Sequence, residues 1–559
     1  MRIQKYLMDI NRKLENIPRK YMAAAVVLVY AILHLLMAIV HEPFFDEAEA
    51  WQIARSASLQ TLLTQVPHYE GHPPLWHLIL MPFAKAGAPY ELSLTLISLI
   101  FTGTAVYLIL RNAPFPIFVR ILLPFTYFFF YQYGVISRVY CVMLLEFVLL
   151  AIVHKDRNTI PGRYVSILLL LCMTNAYGIV LAGGISAVWL LEIWHQKYPT
   201  QLRLKKIICD RRILYLSGLL LAAIMVILQI MPRKDTYAME IVAGQEIANP
   251  FWKRLLYMIV ILPADVTMTN VFSDYGYLST ASLSWLSLLS GCMIGILIWG
   301  LIVYFGIKKN SLCLFIVPYL MFAVFASSVY VSLHHIGIGL LFLIFWIWIS
   351  LENPQKFHEE VKPDIPVSFV KTAKLFVGLS LCISLSWTIS ACVLDIGKEY
   401  SAGRSMAEFI KSEQLDRYRI MAQWDIVQKE NGETLSTDVN FCYGAVEIAP
   451  YFPENIVYNF NFGRNDRNYI THIRADKNEN DYAYAIWKTE GYPDILLMKP
   501  ELNELYSPEE LNIQDYVLVY YAPDEKIWKN VAEYHRNYIY IKKSLLQETG
   551  LEEVKVHNL

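Results

Sequence analysis

The sequence is short of charged residues for its length. Of 559 residues, 17% are Asp, Glu, Lys or Arg, whereas soluble domains average about 25%. The net charge is -1, so the chain lacks the basic excess that nucleic-acid binding needs. With 56% hydrophobic residues and a mean hydropathy of +0.37, this deficit predicts a polytopic membrane protein and excludes nucleic acid as a partner.

Cysteine is scarce in the polar C-terminal part of the chain. Of the eight cysteines, only Cys442 lies well inside that part, and the others lie in or beside apolar stretches. A single cysteine cannot form a disulfide framework, so the C-terminal part must fold on its own apolar core. The sequence shows no zinc-type Cys/His spacing, no internal repeat and no low-complexity run.

Long apolar runs are abundant. Tyr21–Val40 is long enough to cross a bilayer core, which takes about 20 apolar residues, and no small-residue cleavage site follows it, so we expect an uncleaved first helix. Lys and Arg outnumber acidic residues in 1–20, which predicts a cytoplasmic N-terminus. Hydropathy predicts eleven spans, at about 21–40, 90–110, 114–134, 138–153, 163–176, 178–194, 212–231, 281–306, 311–331, 335–351 and 372–393.

This topology assigns the remaining loops to two sides of the membrane. The basic loop His195–Arg212 falls inside, as the positive-inside rule expects, whereas 42–88, 232–280 and everything after 395 fall outside. Within 232–280, Asn249–Thr267 is apolar but broken by prolines and basic residues, so we expect it at the interface. A spanning helix there is the alternative, and it would move the C-terminal part to the cytoplasm.

The composition changes at about residue 396. Charged and aromatic residues alternate with short apolar runs, and Arg404–Ser412 has the pattern of an amphipathic helix. We therefore predict a cytoplasmic N-terminus (1–20), a polytopic all-α membrane domain (21–395) with a long first outer loop (42–88), and a soluble, extracytoplasmic α/β domain (396–559).

The first outer loop carries adjacent carboxylates, Asp46 and Glu47, directly after the first span. One interpretation is structural, with Asp46 as the cap of a helix over Asp46–Ser56 and Glu49 completing the capping motif. The other is catalytic, because a carboxylate that is partly desolvated at the membrane mouth can serve as a general base. The two interpretations are compatible, since a cap fixes the side chain in place.

Further along this loop, Tyr69–Trp76 reads Tyr-Glu-Gly-His-Pro-Pro-Leu-Trp. It can be a plain turn with a proline at the first helical position, leading into a helix over Leu75–Lys85. The rigid Gly-His-Pro-Pro sequence also suits a positioned His72, with Tyr69 beside it.

Basic residues near other predicted outer turns are candidate ligands for an anion. Arg138, in the segment Ser137–Tyr140, interrupts an apolar region and is either a snorkelling side chain or a bidentate clamp for phosphate. His334 and His335 form a second polar turn, where we expect hydrogen bonding rather than binding of one metal. Arg55 is a further candidate for donor phosphate.

These motifs, in this order, resemble the GT-C superfamily of integral membrane glycosyltransferases, specifically the bacterial relatives of protein O-mannosyltransferases and of the aminoarabinose transferases that modify lipid A. The resemblance covers about 20–350 and rests on Asp46-Glu47-Ala48, Gly71–Leu75 and Ser137–Tyr140. It implies a bacterial plasma-membrane enzyme and a sugar donor linked through phosphate to a polyprenol. It also implies transfer with inversion to a protein, lipid or cell-wall acceptor.

The same resemblance implies residue roles. Asp46 would be the general base and Glu47 would support the acceptor or the loop. The donor phosphate or substrate would be bound by Arg138, His72, His334, His335, Arg55, Tyr69 and Tyr140. No cofactor is implied with certainty, and dependence on a divalent metal stays open. Two other classes also stay open: a transporter or flippase for lipid-linked sugars, and an O-antigen-type ligase.

Overall fold

The computed structural model describes residues 18–197, 210–232, 250–271, 285–352, 365–422, 426–428, 434–436, 443–457, 491–498 and 513–555. Some of the predictions concern residues outside these ranges, namely Cys209, Cys442, the basic residues before position 18 and most of the 195–212 and 232–280 loops. Element numbers below follow the described residues.

The described part of the chain is mostly helical. The helices are α1 (Arg19–Val40), α2 (Phe45–Ser56), α3 (Leu59–Thr64), α4 (Val66–Glu70), α5 (Leu75–Lys85), α6 (Tyr90–Asn112), α7 (Ile117–Leu122), α8 (Tyr140–His154), α9 (Pro161–Thr174), α10 (Ala176–Lys197), α11 (Arg211–Ile230), α12 (Phe251–Leu256), α13 (Leu262–Asp265), α14 (Trp285–Lys309), α15 (Leu312–Ser328), α16 (Leu333–Glu352), α17 (Val367–Gly397), α18 (Gly403–Ser412), α19 (Tyr443–Ile448) and α20 (Leu546–Thr549).

Several of these helices can cross a bilayer. Among the described residues, seven are long and apolar enough, namely α1, α6, α10, α11, α14, α16 and α17, and α8, α9 and α15 are shorter apolar helices. The chain is thus an integral membrane protein, as predicted. The number of eleven spans is not confirmed.

The predicted span 114–134 is not one continuous helix. It consists of α7, a 3₁₀ turn over Leu123–Phe125 and a π-helix over Phe128–Val135. Pro124 has no backbone N–H to donate and its ring crowds the preceding turn, which disfavours a regular α-helix at this point.

The segment expected at the interface, Asn249–Thr267, is helical over 251–265. It forms α12, a π-helical turn (Tyr257–Ile261) and α13. Met258 and Leu262 are buried, and the Tyr319 hydroxyl of α15 donates to the Met258 carbonyl at 2.7 Å. This segment therefore packs against neighbouring helices over much of its length.

The chain divides into two compact units. The first comprises Met1–Leu36, Leu96–Gln229 and Ile241–Cys392, and the second comprises Met37–Thr95, Ile230–Glu240 and Val393–Leu559. The first outer loop thus belongs to the same unit as the C-terminal part of the chain.

The second unit contains a small sheet, as the predicted α/β character requires. Strand β1 (Ile420–Ala422) pairs in parallel with β4 (Ile495–Met498), which is antiparallel to β6 (Val531–Lys542), and β6 is antiparallel to β5 (Tyr516–Trp528). A separate ribbon pairs β2 (Ile426–Gln428) with β3 (Thr434–Ser436). The sheet core is formed by apolar side chains that are almost fully buried, including Ile420, Ile495, Leu496, Ile539 and Ile541.

Candidate active site

Helix α2 places the adjacent carboxylates of the first outer loop. The helix begins at Phe45, with Phe44 in an extended conformation before it. The Phe44 amide donates to Oε2 of Glu47 at 3.0 Å, so Glu47 binds an amide that the helix leaves without a partner. The interpretation of Asp46 as the cap is therefore wrong, because the helix starts before it, and Glu47 supports the loop.

Asp46 differs from its neighbours in exposure. Within the segment 41–50, every side chain is buried except that of Asp46, which is partly exposed. On α2 as a whole, Asp46, Arg55 and Ser56 are partly exposed and the other side chains are buried.

A further carboxylate, Glu70, interacts electrostatically with both Asp46 and Glu49. Burial, together with the negative charges of Glu49 and Asp46, raises the pKa of Glu70 well above its usual range. Oε1 of Glu70 is enclosed and has no hydrogen-bond partner among the described residues. We call Asp46, Glu49 and Glu70 the carboxylate group. The raised pKa of Glu70 means that its protonated form is favoured more strongly than in an isolated, solvated carboxyl.

Glu70 was not among the residues predicted from the sequence. It ends the short helix α4 and is followed by Gly71, whose φ of 64° is in the left-handed region that glycine adopts readily. The signal was present, because this carboxylate stands directly before the Gly-His-Pro-Pro turn in a largely apolar stretch. The sequence does not show that the turn brings Glu70 into electrostatic contact with Asp46.

Two histidines belong to this region: His72 lies in the Gly-His-Pro-Pro turn and His77 follows it. Burial and the neighbouring His72 lower the pKa of His77 to about 3, so His77 is neutral. Tyr69 is buried, and its predicted role as a substrate ligand stays a prediction, as does that of His72.

Arg55, at the end of α2, binds backbone carbonyls of the same unit. Its guanidinium donates to the Phe452 carbonyl at 2.6 Å and to the Ala449 carbonyl at 3.4 Å. These bonds join the first outer loop to a turn at residues 449–452. A role for Arg55 at donor phosphate stays a prediction.

In the first unit, the predicted basic and aromatic residues come together. The guanidinium of Arg138 lies 5.4 Å from the centroid of the Tyr140 ring. The ring centroids of Tyr140 and His334 are 5.7 Å apart, and those of Tyr140 and His335 are 6.1 Å apart. We call Arg138, Tyr140, His334 and His335 the histidine–tyrosine cluster.

Hydrogen bonds fix both histidines of this cluster, as expected for the adjacent pair. The Ser332 hydroxyl lies 3.1 Å from the His334 ring and 3.0 Å from Nδ1 of His335. Tyr133 donates to the His334 carbonyl at 2.7 Å. Residues nearly two hundred positions apart in sequence thus form a polar, aromatic group that combines one permanent cation with two imidazoles. Such a group suits an anion.

Among the residues that the structure describes, no group of three or more His, Cys, Asp or Glu side chains is arranged to hold a metal ion.

Two solved structures resemble the chain. The crystal structure of ArnT from Cupriavidus metallidurans bound to undecaprenyl phosphate is 13% identical over 94% of this chain and 98% of that chain, with a TM-score of 0.42. The structure of the same protein in the apo state is 12% identical over 93% and 98% of the chains, with a TM-score of 0.39. No protein-family model and no curated protein matches the sequence.

Proposed function

We propose that this chain is an inverting membrane glycosyltransferase. It would move a sugar from a polyprenyl-phosphate donor to an acceptor hydroxyl at the outer face of a bacterial plasma membrane, with a cytoplasmic N-terminus and an extracytoplasmic C-terminal domain. The observation that carries the proposal is the setting of Asp46: it is the one partly exposed side chain of a buried segment, beside two further carboxylates, in a loop whose motifs resemble the GT-C superfamily.

Asp46 would act as the general base. As the acceptor oxygen attacks C1 of the sugar, Asp46 takes the hydroxyl proton. The new C1–O bond forms on the face opposite the phosphate, and the bond from C1 to the phosphate oxygen breaks. Loss of a well-placed base typically lowers the rate by about 10²–10⁴-fold.

The neutral form of Glu70 supports this role. Burial and its neighbours favour the protonated form of Glu70. Less negative charge then lies beside Asp46 than three ionised carboxylates would place there. Glu49 and Glu70 are therefore supporting residues in this mechanism.

The histidine–tyrosine cluster would bind the leaving group. Arg138 can donate two parallel hydrogen bonds to phosphate oxygens, and the imidazoles of His334 and His335 can add further donors. The polyprenyl phosphate then leaves as an anion stabilised by fixed donors and needs no protonation.

The test uses purified full-length protein and four undecaprenyl-phosphate-linked probes, carrying glucose, mannose, galactose or aminoarabinose, with bacterial membranes as the acceptor source. We expect release of undecaprenyl phosphate from at least one probe, together with transfer of its sugar. Movement of an intact probe across a vesicle membrane without cleavage would support a flippase instead. Transfer of a preassembled lipid-linked glycan, with no transfer from the four probes, would support a ligase.

A further inference from the structure

His41, directly after α1, is enclosed between two acidic side chains. Its Nδ1 atom lies 2.9 Å from Oδ2 of Asp395, near the end of α17, and its Nε2 atom lies 3.7 Å from Oε2 of Glu47. His41 is 5% exposed, and Asp395 and Glu47 are 1% exposed each. All three residues belong to the second unit.

This setting requires a charged imidazole. A charged ring gives both buried carboxylates an ionic partner that a neutral ring would not supply. Burial alone would lower the pKa of His41, but the charges and hydrogen bonds of Asp395 and Glu47 raise it to about 10. The other titratable or charged groups around the ring are Tyr400, whose ring centroid lies 4.7 Å away, Glu42 and Arg404.

The same Glu47 oxygen that faces His41 also binds the Phe44 amide. Glu47 is therefore held from two sides, by the start of its own helix and by the imidazolium. Asp46 is the adjacent residue of the first turn of α2, so its direction depends on how firmly this turn is held.

A residue of strand β5, in the C-terminal part, makes a second stabilising contact next to this turn. The ammonium of Lys526, in β5, lies 3.5 Å from the centroid of the Phe44 ring, and Lys526 is 5% exposed. A largely desolvated cation over an aromatic ring is a favourable contact. His41 and Phe44 both precede the first turn of α2, and both contact residues beyond position 394.

We infer that His41, held between Asp395 and Glu47, is a positioning residue that orients Asp46 through the first turn of α2, and that Asp395 is its anchor. The inference rests on the proposed function. On this inference, the end of α17 and the C-terminal part contribute to the transfer reaction, and neither needs to touch the substrate.

The experiment compares full-length wild type with Asp395→Asn, Asp395→Glu and Glu192→Gln. Glu192 is the matched control, since it forms a buried ion pair with Arg157 at 2.9 Å in the first unit. With the undecaprenyl-phosphate probe that the wild type uses, we expect Asp395→Asn to lower kcat about 10–100-fold with the donor KM within about twofold. The activity of Asp395→Asn should also fall as the pH rises from about 7 to about 9, because His41 loses its charge in this variant. The activity of the wild type should stay constant over the same range. Asp395→Glu, which keeps a carboxylate at this position, should have a kcat much closer to that of the wild type.

A second readout does not depend on activity. Hydrogen exchange of the amides of 44–48, measured by mass spectrometry, should speed up at least about tenfold in Asp395→Asn and stay at the wild-type rate in Glu192→Gln. If Asp395→Asn does not fold, His41→Asn serves instead, because its amide can replace Nδ1 towards Asp395 but does not reach Glu47.

The outcomes separate the two proposals. A wild type that transfers no sugar from any probe overturns the proposed function, and the exchange rates then decide whether the first turn depends on His41. Unchanged kcat, pH profile and exchange in Asp395→Asn, or equal losses in Glu192→Gln, would overturn the positioning role.

Discussion

The guanidinium of Arg404 binds both carboxylate oxygens of Glu91, at 2.9 Å each. Arg404 lies in the amphipathic helix α18 and Glu91 at the start of α6. The Tyr451 hydroxyl donates to the same Glu91 carboxylate at 2.6 Å. Residues more than three hundred positions apart thus form one polar network, which joins the start of α6 to the C-terminal part within the second unit.

Replacing Arg404 should destabilise this unit. Arg404→Ala leaves the Glu91 carboxylate without its charged donor, and the lost charge-assisted bonds predict a decrease of about 1–3 kcal/mol in the free energy of unfolding. Thermal unfolding of the full-length protein in detergent measures the change. Arg417→Ala is the control, because Arg417 and Glu548 are 51% and 60% exposed and 3.8 Å apart, and exposed pairs contribute little. Equal effects of the two substitutions would contradict the prediction.

Glu42 should make stability depend on pH. Burial raises its pKa to about 8, although Arg404 opposes the shift. Between pH 4.5 and 8 the folded protein then binds a proton that the unfolded chain has released, so stability falls as pH rises through this window. Glu42→Gln should remove up to about 1.4 kcal/mol per pH unit of that slope, measured as unfolding in detergent at several pH values.

The exposed Glu408→Gln should leave this slope at its wild-type value. The His41 contribution, which is present below pH 6.5 and lost as pH rises towards 10, should persist in Glu42→Gln. A Glu42→Gln protein with the full wild-type slope below pH 6.5 would show that Glu42 is not the group responsible.

Glu70 should tolerate a neutral substitution. The amide of Glu70→Gln resembles the protonated carboxyl that burial and its neighbours favour, so we expect sugar transfer near neutral pH within about threefold of the wild-type rate. A loss of about 100-fold at neutral pH, near the loss typical of a missing general acid or base, would make Glu70 a direct participant in proton transfer.

Arg138 should set affinity for the donor. Arg138→Lys keeps the charge but loses the paired donors that match phosphate, which predicts about a tenfold rise in the donor KM with a smaller change in kcat. Binding of undecaprenyl phosphate to the full-length protein measures the same effect without catalysis. Arg212→Lys is the control, because the Arg212 guanidinium is bound by Asp210 at 2.8 Å. Equal donor KM in wild type and Arg138→Lys would remove Arg138 from the phosphate site.

Local pattern was sufficient to predict several elements. Leu75–Lys85 has the predicted bounds, and α2 and α18 each begin one residue earlier than expected. These elements follow from apolar periodicity and from proline and polar residues at their ends, which are properties of neighbouring residues.

Contacts over long sequence distances could not be predicted in this way. His41 and Asp395 are 354 positions apart, and nothing near either residue shows that the other is its partner. Glu70 was overlooked because its raised pKa arises from burial and from charges on a different helix. Conversely, the meeting of Tyr140 with His334 and His335 agrees with the motif-based expectation that these residues serve one site.

The transfer rate of Asp46→Asn tests the central claim most directly. Asparagine keeps the size of the side chain and cannot accept the acceptor proton, so sugar transfer from the active undecaprenyl-phosphate probe should fall about 10²–10⁴-fold. Expression, thermal unfolding and undecaprenyl phosphate binding should stay at wild-type values, and Asp416→Asn, an exposed position, should transfer normally. If Asp46→Asn membranes transfer sugar at the wild-type rate, Asp46 is not the base and the proposed mechanism is wrong.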